Sequence, residues 1–201
     1  MSVGAVELCW GLARKLGGGG ARTLNHAVAR HTMNQVRRDP AALTNTLGRA
    51  QSVLVVCHGN IIRSPFAARL LQQQLRAARA LSISSAGLEA IPGRPPHETA
   101  LHLASTRGVD LTGHRARRLE PEAVAQSDVI FVMDVPQLVL LRKRFPEAGA
   151  RTFLLTCLAP RTPLEIGDPV FGDEEVFEAC FNHISLAAGP LVQILRSSTP
   201  S

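Results

Sequence analysis

The sequence predicts an α/β fold: a three-layer sandwich in which a small four-stranded parallel sheet is flanked by helices. Three observations carry this. Short apolar runs at residues 52–57, 81–87, 127–134 and 152–156 alternate with segments of helical period. Val53, Leu54, Val55 and Val56 are apolar at every position, as a strand covered on both faces requires. With 201 residues, 45% of them hydrophobic, the chain is long enough for one well-packed core and too short for two ordinary ones.

Residues 1–50 hold seven of the 22 Lys/Arg and two of the 16 Asp/Glu, so most of the net charge of +6 lies there. The remainder is nearly neutral, which argues against a nucleic-acid-binding domain. Val6, Leu8, Trp10, Leu12 and Leu16 suggest a short helical piece, broken by the glycine run 17–20. From Arg22 a second helical pattern puts Leu24, Val28, His31 and Gln35 on one face, until Pro40 interrupts it. Residues 1–50 thus read as a basic helical extension. It either packs on the domain or meets an anionic membrane surface or a protein partner. Residues 51–197 read as the domain.

No apolar run approaches the roughly 18–20 residues of a membrane span. The charges follow the first apolar residues, unlike a secretory signal. Cys9, Cys57, Cys157 and Cys180 show no C-x-x-C or zinc spacing, so the expected compartment is reducing and cytoplasmic.

The stretch from Ser52 to Pro65 carries the chemistry. An apolar strand ends at Cys57, and His58, Gly59, Asn60, Ile61 and Ile62 lead to Arg63, Ser64 and Pro65. Pro65 suits a helix start, with Ser64 as its N-cap. Phe66, Ala67, Leu70, Leu71, Gln74, Leu75 and Ala78 continue the helical period. Between strand and helix, successive backbone N–H groups of residues 58–63 form a nest for an oxyanion, and the helix N-terminus adds its positive end. The same features stabilise a thiolate at Cys57. Arg63 presents a planar fork for two oxygens of a phosphoryl group. Asn60 tolerates a left-handed conformation, and Ser64 is placed to donate to the sulfur.

The run Val55-Val-Cys57-His-Gly-Asn-Ile-Ile-Arg63-Ser-Pro65 resembles the signature of low-molecular-weight protein tyrosine phosphatases, and further matches extend the resemblance from about residue 52 to residue 195. The resemblance implies that Ser85, at the end of the strand 81–87, joins a hydrogen-bond network beneath the loop. It implies that His114 is a buried histidine bonded to the loop's Asn60 and Ser64. Asp168-Pro169 resembles the family's acid loop. A carboxylic acid there protonates the leaving oxygen and then, as carboxylate, activates water. Asp134 ends the third strand, either beside the site or as the cap of the next helix.

Helices are expected over 98–107, 138–145 and 174–195, the last with Val176, Phe177, Cys180, Ile184, Leu191 and Ile194 inward. Three family features are missing. No aromatic stands in the loop 88–97, where Ile91 or Pro92 takes the rim position. Ile62 replaces a frequent second cysteine. Val170 and Phe171 stand where two tyrosines are often found, with Phe171 as a candidate apolar wall.

The resemblance therefore implies a phosphomonoesterase acting through a phosphocysteine, with Cys57, Arg63 and Asp168 catalytic, no metal or cofactor, and a protein phosphotyrosine as substrate. The alternatives are another phosphoester or phosphoarginine, an arsenate reductase, or a silent phosphate-binding adaptor. Ile61, where arginine phosphatases resemble a threonine pattern, favours an aryl phosphate. An arsenate reductase needs a resolving cysteine pair, which Cys157 and Cys180 do not resemble in spacing.

Overall fold

The computed structural model describes residues 19–76 and 81–197. Strands β1 (Ser52–Cys57), β2 (Ser82–Gly87), β3 (Val129–Val132) and β4 (Thr152–Leu154) form one parallel sheet in the order β2-β1-β3-β4. The chain leaves β1 toward β2 and returns to start β3 on the other side of β1. The crevice at the C-terminal ends of β1 and β3 is therefore the topological switch point, where open α/β sheets place their sites.

Eight of the ten residues of β1 and β3 are fully buried apolar side chains, Val53 to Val56 and Val129 to Val132, which explains their uninterrupted hydrophobic runs. Helix α3 (Arg63–Leu75) connects β1 to β2 and is clamped from outside by the C-terminal helix α7 (Glu174–Ser197), with Phe66 stacked on Phe181 at 3.9 Å between ring centroids. Helix α6 (Val135–Arg144) connects β3 to β4. The right-handed rule for parallel crossovers puts it on the opposite face. Helices α4 (Glu98–Thr106) and α5 (Pro121–Ala125) fill the connection between β2 and β3.

The extension begins in the described residues with helix α1 (Gly19–Arg38), followed by α2 (Ala41–Arg49). Pro40 stands between them, ending one and capping the other. The face of α1 shared by Leu24, Val28, His31 and Gln35 is not the one that docks on the domain. Leu24, His31 and Gln35 are exposed, and the buried line is Ala29, Met33 and half-buried Val36. The helix turns this side because Met33 meets the Cys157 thiol, Sγ to Sδ 3.6 Å, and because Arg37 donates to the carbonyls of Ala159 and Thr162. Leu43 and Leu47 of α2 join the same core. The apolar face that a membrane would need is thus turned onto the domain. The piece around Trp10, and Cys9, lie outside the described residues.

Other boundaries shift modestly. Helix α3 starts at Arg63, so Ser64 lies inside it and Ile62 holds the cap position, with no side-chain cap bond. The Ser64 hydroxyl is already engaged with Cys57 and Asn60. Strand β4 stops at Leu154, because residues 155–158 tighten into a 3-10 turn. Val176 is exposed on α7 and Ile194 only partly buried, while Phe177, Cys180, Ile184 and Leu191 point inward. Among the described residues no helix is long and apolar enough to cross a membrane.

Met33 is fully buried, so Met33→Ala is expected to destabilise the protein by roughly 2–5 kcal/mol. Urea unfolding checks this; an unchanged midpoint contradicts the docking of α1.

Candidate active site

The loop after β1 is built around a residue with a left-handed backbone. Asn60 has φ 54° and is the one non-glycine residue with positive φ among those described. Its fully buried side chain makes the conformation worthwhile. Nδ2 donates to Ser64 Oγ and to Ser85 Oγ, each at 2.9 Å, and Oδ1 accepts from the Arg117 N–H at 2.9 Å. The Asn60 carbonyl accepts from His114 Nε2 at 2.8 Å. The Asn60 N–H points at Cys57 Sγ, 3.2 Å away, and Ser64 Oγ lies 3.0 Å from the same sulfur. The amides of Gly59, Ile61 and Ile62 have no protein acceptor among the described residues. The side chains of Ile61 and Ile62 are buried and anchor the loop from below. His58 is exposed, and its carbonyl accepts from Glu89 N.

Segment 87–89 braces this loop: Leu88 N donates to Cys57 O at 2.9 Å and Glu89 N to His58 O at 3.0 Å. Gly87 makes that approach possible. A Cβ there would lie 2.6 Å from the His58 carbonyl oxygen and 2.9 Å from Asn60 N, both backbone atoms.

Arg63 is 2% exposed and sits between two carboxylates. Nη1 donates to Asp134 Oδ2 at 3.1 Å and to the Ile166 carbonyl at 3.2 Å, and Nη2 pairs with Asp168 Oδ2. Asp134 follows β3 and also caps α6, accepting from Gln137 N at 2.8 Å. Burial pushes its carboxyl above the ordinary range, outweighing the pull of Gln137 N–H and Arg63. Asp168 is more open, and its Oδ1 takes Val170 N in a tight turn.

Cys57, Arg63, Ser64, Ser85, His114 and Asp168, from four separate stretches, are therefore joined in one constellation. Two details differ from expectation. His114 is half-buried rather than buried, and its described bond goes to Asn60 alone. Asp134 is both cap and partner of Arg63, not one or the other. Sequence reading missed Gln137, Gly87 and the Ile166 carbonyl. The Asp134-x-x-Gln137 spacing of a capping box was the signal for Gln137, whose Nε2 holds Asp134 Oδ2 at 2.7 Å. Around the site, Ile91 is 61% exposed and Phe171 wholly exposed, so Phe171 stands free rather than forming a packed wall.

A thiol under a strand-to-helix anion nest, with a buried arginine and an adjacent carboxylic acid, defines a protein built for phosphoryl transfer through cysteine. The comparisons agree. The family model described as low molecular weight phosphotyrosine protein phosphatase matches residues 52–200. The chain is 33% identical over 147 residues to a probable low molecular weight protein-tyrosine-phosphatase EpsP of Ralstonia nicotianae, covering 73% of this chain and 97% of that one. Among solved structures it is similar to the tyrosine phosphatase Wzb of Escherichia coli K30 in complex with sulphate. That match has TM-score 0.67 and 30% identity, over 72% of this chain and 97% of that one. It is also similar to the YwlE arginine phosphatase of Geobacillus stearothermophilus, with TM-score 0.68 and 28% identity, over 73% and 94%. The chain belongs to the low molecular weight protein-tyrosine-phosphatase family. The first fifty residues lie outside the matched region.

Two outcomes follow from this geometry. Gly87→Ala is expected to push His58 and Asn60 apart from segment 87–90 and weaken inorganic phosphate binding by roughly tenfold or more, read by calorimetry. Equal affinity contradicts the close approach. The second concerns pH. Burial first, then Arg117 and Arg115, hold His114 below its usual 6.5, opposed by its bond to Asn60. The unfolded chain therefore takes the proton first. Stability is full above 6.5 and falls as pH drops from there through the folded value. His183 is depressed in the same sense. His114→Gln is expected to shrink the fall in urea midpoint between about pH 7.5 and about pH 5. An undiminished fall contradicts the assignment.

Proposed function

We propose that this phosphatase hydrolyses phosphomonoesters through a phosphocysteine at Cys57, with protein phosphotyrosine as the substrate class. One observation carries the reading: the Cys57 sulfur receives the Asn60 N–H and faces the Ser64 hydroxyl, while Arg63 joins the loop to Asp168.

In the first step Cys57 Sγ attacks phosphorus in line with the leaving oxygen. Loop amides and the Arg63 fork hold the three equatorial oxygens, where charge is spread in the transition state. The P–O bond to the leaving group breaks, and Asp168 gives its proton to that oxygen. In the second step water attacks the phosphorus. The Asp168 carboxylate takes the water's proton, the S–P bond breaks, and the thiolate returns. The donors to sulfur stabilise it as nucleophile in the first step and as leaving group in the second.

The relatives named protein-tyrosine phosphatases support the aryl substrate, as does Ile61 in the loop. A second reading, phosphoarginine, is favoured by the likeness to an arginine phosphatase and by Ile91 in place of a rim aromatic. A thiol-exchange reductase is disfavoured. Burial pushes Cys157 up to about 11 and Cys180 up to about 12, so both stay protonated and poorly reactive near neutrality. The three described cysteines are free thiols, which suits a reducing, cytoplasmic compartment.

Cys57→Ser is expected to abolish hydrolysis of a phosphotyrosine peptide, and Asp168→Ala to lower kcat by roughly 10²–10⁴. Undiminished turnover in the serine variant contradicts the mechanism. Faster turnover of a phosphoarginine peptide than of its phosphotyrosine counterpart decides for the second reading.

A further inference from the structure

The segment carrying Asp168 is long. Residues 159–173 run from the 3-10 turn at Leu155–Leu158 to the start of α7 with no helix or strand of their own. A connection of that length is uncommon in a compact domain and costs entropy to hold in one shape. Yet Asp168 must hold its carboxyl within a fraction of an ångström of a leaving oxygen. The family fold itself supplies some tethers. Ile166 N donates to Met133 O at 2.8 Å, Arg63 holds Ile166 O and Asp168, and His183 Nε2 lies 3.1 Å from Pro163 O.

Thr156 Oγ1 also donates to Leu164 O, and Cys180 Sγ lies 3.7 Å from Gly167 O. Further tethers come from helix α1, in the part of the chain that the family model does not match. Arg37 donates to Ala159 O and, at 2.7 Å, to Thr162 O, fixing the turn where the segment leaves the core. Arg30 pairs with Glu165 Oε1 three residues before Asp168. The other oxygen of Glu165 accepts from Val135 N at 2.9 Å, the residue next to Asp134. Glu165 thus joins α1, the acid segment and the start of α6 in one contact. An exposed pair alone holds weakly. Arg37, partly buried and bonded to two carbonyls, gives the clamp its second point.

We propose that α1 is a positioning element of the active site, in which Arg30 and Arg37 hold the acid segment so that Asp168 meets the leaving group. The basic residues of the extension then have a purpose inside the molecule. Arg30 and Arg37 touch no reacting atom and act only through Asp168. This rests on the reading of Asp168 as the general acid.

The test is leaving-group dependence in the full chain. Dinitrophenyl phosphate expels a weakly basic phenolate that needs little protonation, whereas phenyl phosphate depends on the acid. For Arg30→Ala/Arg37→Ala, kcat/KM on phenyl phosphate is expected to fall roughly tenfold and that on dinitrophenyl phosphate by less than about twofold. Glu165→Ala, which removes the carboxylate that Arg30 holds while Arg37 and Met33 keep α1 docked, is expected to show the same split, and it carries the test if the double variant does not fold. Equal losses on both substrates, or no loss on either, overturn the proposal. Asp168→Ala serves as the reference. If it fails to separate the two substrates, the reading of the site falls; if it separates them and the clamp variants do not, only the role of α1 falls.

Discussion

A single guanidinium organises this molecule. Arg63 is almost wholly removed from water, and a buried charge left without partners costs several kcal/mol. The fold must therefore deliver carboxylates to it from elsewhere in the chain. It does so across the switch point, with Asp134 from the end of β3 and Asp168 from the segment before α7. The two partners are unequal. Asp134 is the deeper, held by Gln137 and capping α6, and stays in place as a fixed counter-charge. Asp168 is the more open and is held by a turn rather than by a helix. The same ion-pair cluster thus contains one carboxylate suited to support and one suited to meet substrate.

The loop solves a second problem, how to hold several amides convergent without a glycine at the left-handed position. Asn60 takes that conformation, and its side chain is fixed by partners on three other segments. Each bond is modest in isolation, about 1 kcal/mol, but the network is buried, and a lost member leaves an unsatisfied group behind. Gly87 is the complementary concession, since it lets β2 run hard against the loop. Rigidity beneath the nest and an acid held at its mouth are what a two-step phosphoryl transfer requires of its surroundings.

Much of this was legible in the sequence because local chemistry and global position agreed. The uninterrupted β1 run, the cysteine at its end and the arginine at the next helix form one contiguous stretch, and contiguous stretches reveal their own geometry. Asp168 stood out only through the resemblance of Asp168-Pro169 to the family's acid loop, since an Asp-Pro pair alone reads as a turn. What escaped was set by distance. Nothing at Glu165 announces a partner at Arg30, 135 positions earlier. The docking face of α1 was not legible either, because residues around Leu24 and Val28 carry the larger apolar side chains, whereas docking follows Ala29, Met33 and Arg37, whose partners lie near Cys157 and Ala159. The Ser64 cap was misassigned because its hydroxyl has better partners than a first-turn amide.

In the proposed mechanism the phosphoryl group passes through Cys57. The most direct measurement is acid-quench trapping of the Asp168→Ala protein with an activated aryl phosphate, followed by peptide mass analysis. In that variant the activated leaving group departs without its acid while water is no longer activated, so a phosphoryl adduct is expected to accumulate on the peptide carrying Cys57. An adduct on another residue, or rapid turnover with no covalent species at any quench time, would contradict the account.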